Sequence, residues 1–267
     1  MSGMRNMRIA LAQILVESGS LGKNIGKIKS FIGEAAAKEA EIVVFPECAD
    51  VGWLTPADWQ KAHRRYMKSV RLLSQLARSG SIYVCAGLMD GENGRAYNCS
   101  VLLSPEGDVL LRHRKINLLD FERKVYAAGS SLSAVSRPVE KTSILICADN
   151  FPQSLFLGRT AGLMGARLVL SPSSWAVGPD SAADPDEGMW VSSYAALARE
   201  FGITTVAVSN VGILENPPWR GYRCIGNSVV VGRCGDIIHR CSFGEDSEEM
   251  AIVDLPYLRA GDGRPGA

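Results

Sequence analysis

The feature of this sequence that most constrains its fold is an alternation of strand-like and helix-like segments. The run MRIALAQI predicts a strand, apolar residues recur at helical spacing between Leu21 and Ala35, and EIVVF predicts a second strand. A helix over about residues 56–77 and the strand SIYVCAGLM follow. Residues 96–113 then form two apolar runs joined by Ser-Pro-Glu-Gly-Asp, which is typical of a hairpin. This order predicts parallel strands with helical crossovers, followed by antiparallel strands.

The same order returns in the second half of the chain. TSILICAD predicts a strand, a helix ends near Gly165, and a further strand, helix and strand precede a hairpin within CIGNSVVVGRCGDIIHR. Two such halves predict two sheets packed face to face with helices on the outer faces, because this layering buries both faces of each sheet. We therefore predict an α/β fold with four layers in the order α-β-β-α.

The length of 267 residues suits one large α/β domain, and we expect residues 1–267 to form a single domain. The Gly-rich stretch from about residue 257, which ends in AGDGRPGA, is predicted to be mobile or to contact a partner subunit.

Composition and charge limit the classes of partner. The chain has 29 Lys and Arg residues against 28 acidic residues, so its net charge of +1 gives no field that attracts nucleic acid or anionic lipid. The seven cysteines are an odd number, and Cys85 and Cys147 lie in apolar strand-like runs, which predicts reduced thiols in a cytoplasmic protein. The sequence lacks an uncharged apolar run of about 18 residues, which a membrane-spanning helix would need. We expect a soluble protein with no nucleic-acid or membrane partner.

Two charged side chains follow strand-like runs, where α/β proteins hold functional groups. Glu47 follows EIVVFP, in which Pro46 ends the strand ladder, and it is either a general base or a loop glutamate in solvent. Lys115 lies in LLRHRKINLL, where strand alternation directs it to one face and Arg112 and Arg114 to the other. Alternation does not decide which face is buried, so an exposed basic strand end is the alternative.

The third candidate, Cys147, ends the apolar run SILIC ahead of Pro152, which is predicted to open the next helix. Helix N-terminal amides near the thiol would favour the thiolate. The alternative is a small buried core residue, which is also the interpretation of Cys85.

Taken together, the motifs carry a family resemblance. A Glu after V-V-F-P, a Lys in R-K-I-N-L and a Cys in C-x-D-x-F-P, in that order, resemble the nitrilase superfamily of carbon–nitrogen hydrolases. The segments Y-N-C-S, G-A-R-L-V-L-S-P-S-S-W and G-N-S-V-V-V-G-x-x-G-D-I-I add to the resemblance, which covers nearly the whole chain. Each motif is weak alone, but their order and separation are specific. The resemblance implies the four-layer sandwich that the periodicity also predicts.

The resemblance implies a cysteine-dependent hydrolase. Glu47 corresponds to the general base of the family, Lys115 to its catalytic lysine and Cys147 to its nucleophile, and a second glutamate corresponds to Glu122 in the loop DFERKVYAAG. The thiolate would attack an amide or nitrile carbon, and a water molecule activated by Glu47 would hydrolyse the thioester.

Candidate substrate-binding residues lie after the cysteine. The amide of Ala148 would hold the developing oxyanion together with Lys115. Asn150 occupies a position where some carbamoyl-amino-acid hydrolases have arginine, which argues against a carboxylate-bearing substrate. Trp175 is one of four tryptophans in or beside predicted loops. These rings suit an apolar or aromatic acyl group, or else form a lid or a subunit contact.

Several alternatives stay open. A nitrilase or an N-carbamoyl amide hydrolase would use the same three residues, and a catalytically silent binding protein would keep the same fold. A Cys-His protease requires one of His63, His113 and His239 to approach Cys147. The scattered histidines and the absence of C-x-x-C, H-E-x-x-H and P-loop motifs predict neither a metal nor another cofactor. Members of the family assemble as dimers or larger, so we expect a homo-oligomer.

Overall fold

A computed structural model describes residues 5–138, 141–181 and 189–257. Its helices are α1 (Leu21–Ala37), α2 (Trp59–Gly80), α3 (Leu155–Leu163) and α4 (Met189–Phe201). Its strands are β1 (Arg5–Gln13), β2 (Ile42–Val44), β3 (Tyr83–Glu92), β4 (Arg95–Leu103), β5 (Val109–Arg114), β6 (Ala134–Val135), β7 (Thr142–Ile144), β8 (Leu168–Ser173), β9 (Ala176–Val177), β10 (Thr204–Ser209), β11 (Val211–Ile213), β12 (Arg223–Ile225), β13 (Val229–Val231), β14 (Ile237–Arg240) and β15 (Glu249–Tyr257).

The strands form two six-stranded sheets of matching layout. The first has the order β15-β1-β2-β3-β4-β5 and the second β14-β13-β10-β8-β7-β6. In each sheet three central strands run parallel, β1-β2-β3 and β7-β8-β10, and antiparallel hairpin strands extend one edge. The predicted repeat of parallel strands followed by a hairpin is therefore confirmed.

Strand alternation sorts the side chains into layers. Ile9 and Leu11 of β1 pack between the sheets against residues of β7 and β8 such as Ile144 and Leu170. The intervening Ala10 of β1 packs instead with buried residues of α1 and α2. On the second sheet, Leu145 and Val169 pack with Leu157 of α3 and Leu197 of α4. Apolar residues on both faces of the central strands thus produce the predicted α-β-β-α layers.

Three details differ from the sequence-based expectation. Helix α2 begins at Trp59 rather than near residue 56, because Asp58 caps it and accepts a hydrogen bond from the Lys61 amide at 2.8 Å. The run CIGNSVVV does not form one strand: Gly226 and Asn227 both have positive φ and separate β12 from β13. Strand β12 joins β9 and β11 in a small third sheet.

The C-terminal segment also contains an element that the periodicity argument missed. β15 pairs antiparallel with β1, with Val253 opposite Ile9, and closes one edge of the first sheet. The tail predicted to be mobile or to contact a partner lies outside the described residues. Within the described part of the chain, no helix has both the length and the apolar character needed to cross a bilayer.

Candidate active site

Glu47 lies three residues beyond a short buried strand and is itself buried. β2 ends at Val44, and the Glu47 backbone N–H crosses to the second sheet, where it donates to the Ser173 carbonyl at 3.2 Å. Gly87 of β3 permits this path, because a Cβ at residue 87 would lie 2.6 Å from the Cα of Glu47 and 2.4 Å from the Pro46 carbonyl oxygen. Glu47 therefore lies beyond a strand end as predicted, and its position depends on a close approach of its backbone to the backbone of Gly87.

The two oxygens of the Glu47 carboxylate have different surroundings. Oε1 accepts hydrogen bonds from Lys115 Nζ at 2.9 Å and from Asn98 Nδ2 at 2.6 Å. Oε2 is buried and has no hydrogen-bond partner among the described residues. Burial raises the pKa of Glu47, the positive charge of Lys115 opposes that rise, and the net pKa lies above the ordinary value. One oxygen of a carboxyl with a raised pKa is thus left free to accept a proton.

Lys115 immediately follows β5 and points into the protein. The side chain is fully buried, whereas Arg112 and Arg114 turn to the opposite face and pair with Asp90. The predicted alternation is confirmed, and Lys115 is on the buried side. Burial alone would lower the pKa of Lys115, but the charges of Glu122 and Glu47 outweigh it and hold the pKa well above the ordinary value. The side chain is therefore an ammonium ion.

Glu122 begins a 3₁₀ turn that ends at Lys124, and its side chain is buried. Oε1 accepts from Lys115 Nζ at 2.8 Å and from the Trp53 indole Nε1 at 2.8 Å, and Oε2 accepts from the Leu119 amide at 2.8 Å. Lys115 thus lies between two buried carboxylates. A buried ammonium ion needs such partners, because an unpaired charge in this environment is strongly unfavourable.

Cys147 lies at a sharp turn after β7. Its φ is +42°, in the left-handed region that non-glycine residues rarely adopt, and the side chain is almost entirely buried. The residues that follow form a 3₁₀ turn, Cys147–Asn150, and α3 begins only at Leu155. Pro152 opens a second 3₁₀ turn, Pro152–Ser154, that runs directly into α3, so the helical segment begins at Pro152 as predicted, but the α-helix itself begins eight residues after Cys147.

The resting thiol is protonated. Burial raises the pKa of Cys147 far above its ordinary value, and the negative charge of Glu47 raises it further. Lys115 and the backbone N–H of Ser174 act in the opposite direction. The predicted thiolate-favouring environment is thus outweighed by burial, and a base must remove the proton when the thiol reacts. Because the charges of Glu47, Lys115 and Glu122 all act on this thiol, the four predicted side chains lie in one site.

Comparisons with known proteins show which family the chain belongs to. The model of the carbon–nitrogen hydrolase family matches residues 8–263. The chain belongs to the carbon–nitrogen hydrolase family.

The predicted resemblance to the nitrilase superfamily is thereby confirmed. Omega-amidase NIT2-B of Xenopus laevis is 28% identical, with 96% of this chain and 91% of the relative covered. Omega-amidase NIT2 of Homo sapiens is 31% identical over the same shares of the two chains. Among solved structures, a variant of the Nesterenkonia amidase from the nitrilase superfamily is 25% identical and matches with a TM-score of 0.79, covering 95% of this chain and 92% of that chain.

Two of the predicted substrate-binding residues of this carbon–nitrogen hydrolase, Ala148 and Asn150, lie in the cysteine turn. Ala148 is buried, and its carbonyl accepts from Asn117 Nδ2 at 2.7 Å. The Asn150 side-chain amide donates to the Leu145 carbonyl at 3.1 Å and to Ser171 Oγ at 3.0 Å, so it ties the turn to β8. Its Oδ1 has no partner among the described residues. The binding role of both residues stays a prediction.

Aromatic rings form two groups in the hydrolase. Trp175 is buried and stacks on Trp190 with ring centroids 4.8 Å apart. Trp53, which contacts Glu122 through its indole N–H, packs against Trp219 at 5.4 Å and against Phe121 at 5.7 Å. The four tryptophans singled out in the sequence therefore form two pairs, and Trp53 is directly joined to the catalytic candidates.

Sequence reasoning missed several polar residues that hold the site. Asn98, noted only as part of the Y-N-C-S motif, donates to Glu47, and Trp53 donates to Glu122. His113, named in the sequence only as a candidate partner of Cys147, and Asp149 of the C-x-D-x-F-P motif form a buried pair at 2.9 Å between β5 and the cysteine turn. The one available signal was position, since His113 shares the face of Lys115 by alternation. Among the described residues, no group of three or more His, Cys, Asp and Glu side chains is arranged to hold a metal ion.

Proposed function

We propose that this protein is an amidase that hydrolyses small-molecule amides through a thioester on Cys147, within a single carbon–nitrogen hydrolase domain. The observation that carries the proposal is the buried Glu47–Lys115–Glu122 network, whose charges act on a cysteine held at a positive φ. Buried charges of this kind are unfavourable for folding unless paired, and they are characteristic of sites that move protons. The matches to two omega-amidases and an amidase support an amide as the substrate.

The first half-reaction uses the free oxygen of Glu47. Glu47 Oε2 takes the thiol proton as sulfur attacks the carbonyl carbon, and the carbonyl oxygen becomes an oxyanion. The Lys115 ammonium has three N–H bonds and donates two of them to Glu47 and Glu122, which leaves the third for the oxyanion together with the Ala148 amide. When the carbon–nitrogen bond breaks, the proton held by Glu47 passes to the leaving nitrogen and ammonia departs.

The second half-reaction restores the enzyme. Glu47 removes a proton from water, the hydroxyl adds to the thioester carbon, and the carbon–sulfur bond breaks to release a carboxylic acid. The proton returns from Glu47 to the cysteine sulfur. Glu122 remains paired with Lys115 and Trp53 in both steps and keeps the ammonium in place. The sum is amide plus water giving acid plus ammonia.

The surroundings of the site favour an acyl group of apolar or aromatic character. Trp53 bonds Glu122 and packs against Trp219, and Trp175, in the same buried cluster as Cys147, stacks on Trp190, so aromatic rings adjoin the candidate residues. Asn150 is a neutral side chain whose amide is bonded within the turn, so it offers no positive charge to a carboxylate. Aromatic pairs favour flat apolar ligands.

Cellular setting and assembly complete the proposal. All seven cysteines are free thiols, which supports a reducing, cytoplasmic location. Phe156 and Leu163 of α3 are 59% and 79% exposed and lie on one helix face, which supports a homo-oligomer whose subunits pack through α3. Light scattering of the wild-type protein and of Leu163→Glu measures the oligomeric state directly. A monomeric wild-type protein would contradict the assembly proposal.

The activity is tested by ammonia release from a panel of aliphatic and aromatic amides, N-carbamoyl compounds and nitriles. We expect release from at least one amide, and we expect Cys147→Ala to abolish it. Cys85→Ala is the matched control, because Cys85 is also buried but lies in β3 at the interface of the two sheets. Release from nitriles or carbamoyl compounds alone would assign one of those activities instead, and no release from any compound would indicate a silent binding protein.

A further inference from the structure

The Asp149 carboxylate joins the segment that carries Lys115 to the segment that carries Cys147. Oδ1 accepts from the backbone N–H groups of Ile116 at 3.0 Å and Asn117 at 2.8 Å, which directly follow the lysine. Oδ2 accepts from the N–H of Ile146 at 3.0 Å, which directly precedes the cysteine. One fully buried side chain is therefore bonded to the backbone on both sides of the site.

His113 supplies the fourth bond to this carboxylate. Its Nε2 lies 2.9 Å from Asp149 Oδ2, and the imidazole is 5% exposed. Because an ionised carboxylate can only accept, Nε2 carries the proton of this bond. His113 belongs to β5 and shares the inward face with Lys115, so it connects Asp149 to the lysine strand a second time.

The cysteine turn needs such a support. A non-glycine residue at φ +42° is strained, and a strained backbone persists only where surrounding bonds fix it. Asp149 accepts the Ile146 N–H at the entrance of the turn, and Asn117 Nδ2 bonds the Ala148 carbonyl at 2.7 Å within it. Without these bonds, the left-handed conformation of Cys147 would be free to relax, and the sulfur would move relative to the Lys115 ammonium.

We propose that Asp149 and His113 are positioning residues that fix the distance between the Lys115 ammonium and the Cys147 sulfur. Neither touches the reacting atoms. The inference rests on the proposed cysteine-dependent hydrolysis, and it assigns to this buried pair a role that the Glu-Lys-Cys chemistry alone does not contain.

Asp149→Asn tests the role of the carboxylate with almost no change in volume. Asparagine keeps one oxygen, but its amide nitrogen faces N–H donors where the second oxygen was, so the bonds at that atom are lost. We expect kcat to fall about 10- to 100-fold, since a displacement of about 1 Å at a reacting group costs about that much, while KM changes less than about threefold. The rate at which iodoacetamide alkylates Cys147, followed on the Cys147 peptide by mass spectrometry, should fall by at least about tenfold.

His113 is tested by a pair of variants. His113→Gln retains an N–H that reaches toward Asp149, whereas His113→Leu removes the donor and leaves a carboxylate oxygen unpaired. We expect the Gln variant to keep kcat within about threefold of wild type and the Leu variant to lose about tenfold. Equal losses in both variants would show that only ring packing matters, and that result would overturn the role of the hydrogen bond.

Asp90→Asn is the matched control. Asp90 of β3 is a buried carboxylate that pairs with Arg112 and Arg114, which lie on the face of β5 opposite to His113. It contacts neither the cysteine turn nor Lys115. Asp90→Asn should lower the thermal midpoint of unfolding but leave kcat and the rate of Cys147 alkylation within about threefold of wild type. All assays are made well below the thermal midpoint of each variant. The proposal is overturned if folded Asp149→Asn alkylates and turns over as wild type does, or if Asp90→Asn loses as much.

The alkylation measurement separates this proposal from the proposed function. If the wild-type protein releases ammonia from no compound, the hydrolase proposal fails, but Cys147 labelling still reports whether Asp149 holds the thiol in its reactive place. If ammonia is released and Asp149→Asn is unchanged in both measurements, the positioning proposal alone fails.

Discussion

The two halves of the sandwich share one strand register but carry different chemistry at equivalent positions. Ile42 of β2 pairs with Ile9 and Tyr83, just as Leu168 of β8 pairs with Thr142 and Thr204. Counting along β2 and β8 from this common register, Glu47 of the first half corresponds to Ser173 of the second half. These two residues are in contact, because the Glu47 N–H donates to the Ser173 carbonyl at 3.2 Å.

The position of Cys147 also has an equivalent in the other half, and the residue there is different. On the same register, Cys147 beyond β7 corresponds to Ile14 beyond β1, which is a fully buried core residue. The first half therefore provides the carboxylates and the lysine, and the second half provides the proposed nucleophile. Two copies of one layout place the carboxyl ends of their parallel strands against each other, so a single site forms between halves that share strand order but carry different side chains.

The largest effect is expected at the pair of equivalent positions. Glu47→Gln removes the proposed proton acceptor while keeping the size of the side chain, and kcat/KM should fall by about 10²- to 10⁴-fold. Ser173→Ala at the equivalent position should change kcat/KM by less than about threefold. Steady-state ammonia release measures both. Comparable losses in the two variants would show that the position itself, rather than the carboxylate, is required.

The next largest effect is a loss of folding stability in Lys115→Met. The variant leaves Glu47 and Glu122 buried without their shared ammonium, and uncompensated buried charge costs about 3–5 kcal/mol. Arg112→Met, on the half-exposed face of the same strand, should cost about 1 kcal/mol. Urea unfolding provides both values. A Lys115→Met variant as stable as Arg112→Met would contradict the account of the buried network.

Gly87 tests why the Glu47 segment can lie so close to the sheet. The equivalent residue in the second half is Val208, so only the first half requires glycine at this position. Gly87→Ala places a Cβ 2.6 Å from the Glu47 Cα, which should destabilise the protein by about 1–3 kcal/mol and reduce kcat. Gly26→Ala on α1 meets no atom within 4 Å and should stabilise it by about 0.5–1 kcal/mol. Thermal unfolding distinguishes the two signs.

The smallest effect concerns pH. Burial raises the pKa of Asp50 to about 7, whereas the same carboxyl group in the unfolded chain has a pKa of about 3.9. Between those values the folded state holds a proton that the unfolded state has lost, so this contribution to stability is present at low pH and is lost as pH rises through 7. The equivalent residue of the second half is Ala176, which does not titrate. Asp50→Asn should therefore reduce the loss of stability between pH 5 and pH 8 by about 1 kcal/mol or more. Guanidinium unfolding at both pH values measures it, and an unchanged pH dependence would contradict the buried, protonated Asp50.

Much of this architecture was predictable because it depends on local periodicity. Ile9 and Leu11 face the opposite sheet as alternation requires, and Lys115 faces inward while its arginine neighbours do not. The order Glu, Lys, Cys predicted the candidate site. β9 and β12, by contrast, are two and three residues long, too short to show a period, so the third sheet was missed.

The supporting contacts of the site were not predictable for a different reason. Asp149 and His113 are 36 positions apart in the chain, one in the 3₁₀ turn after β7 and the other in β5, and nothing in either local sequence indicates the partner. The protonated state of the Cys147 thiol likewise depends on burial and on Glu47, which only the folded arrangement brings together. Local patterns thus indicated the candidate side chains, and the fold determines their protonation and support.

We expect the second half to supply a nucleophile, Cys147, that is acylated with the help of the first half. Acid-quenched turnover of an accepted amide, followed by mass spectrometry of the digested protein, tests it most directly. We predict that the Cys147 peptide gains the mass of the acyl group, that is, the substrate minus ammonia, and that Cys147→Ala shows neither adduct nor turnover. Turnover that continues in Cys147→Ala, or an acyl adduct on any other residue, would contradict the claim.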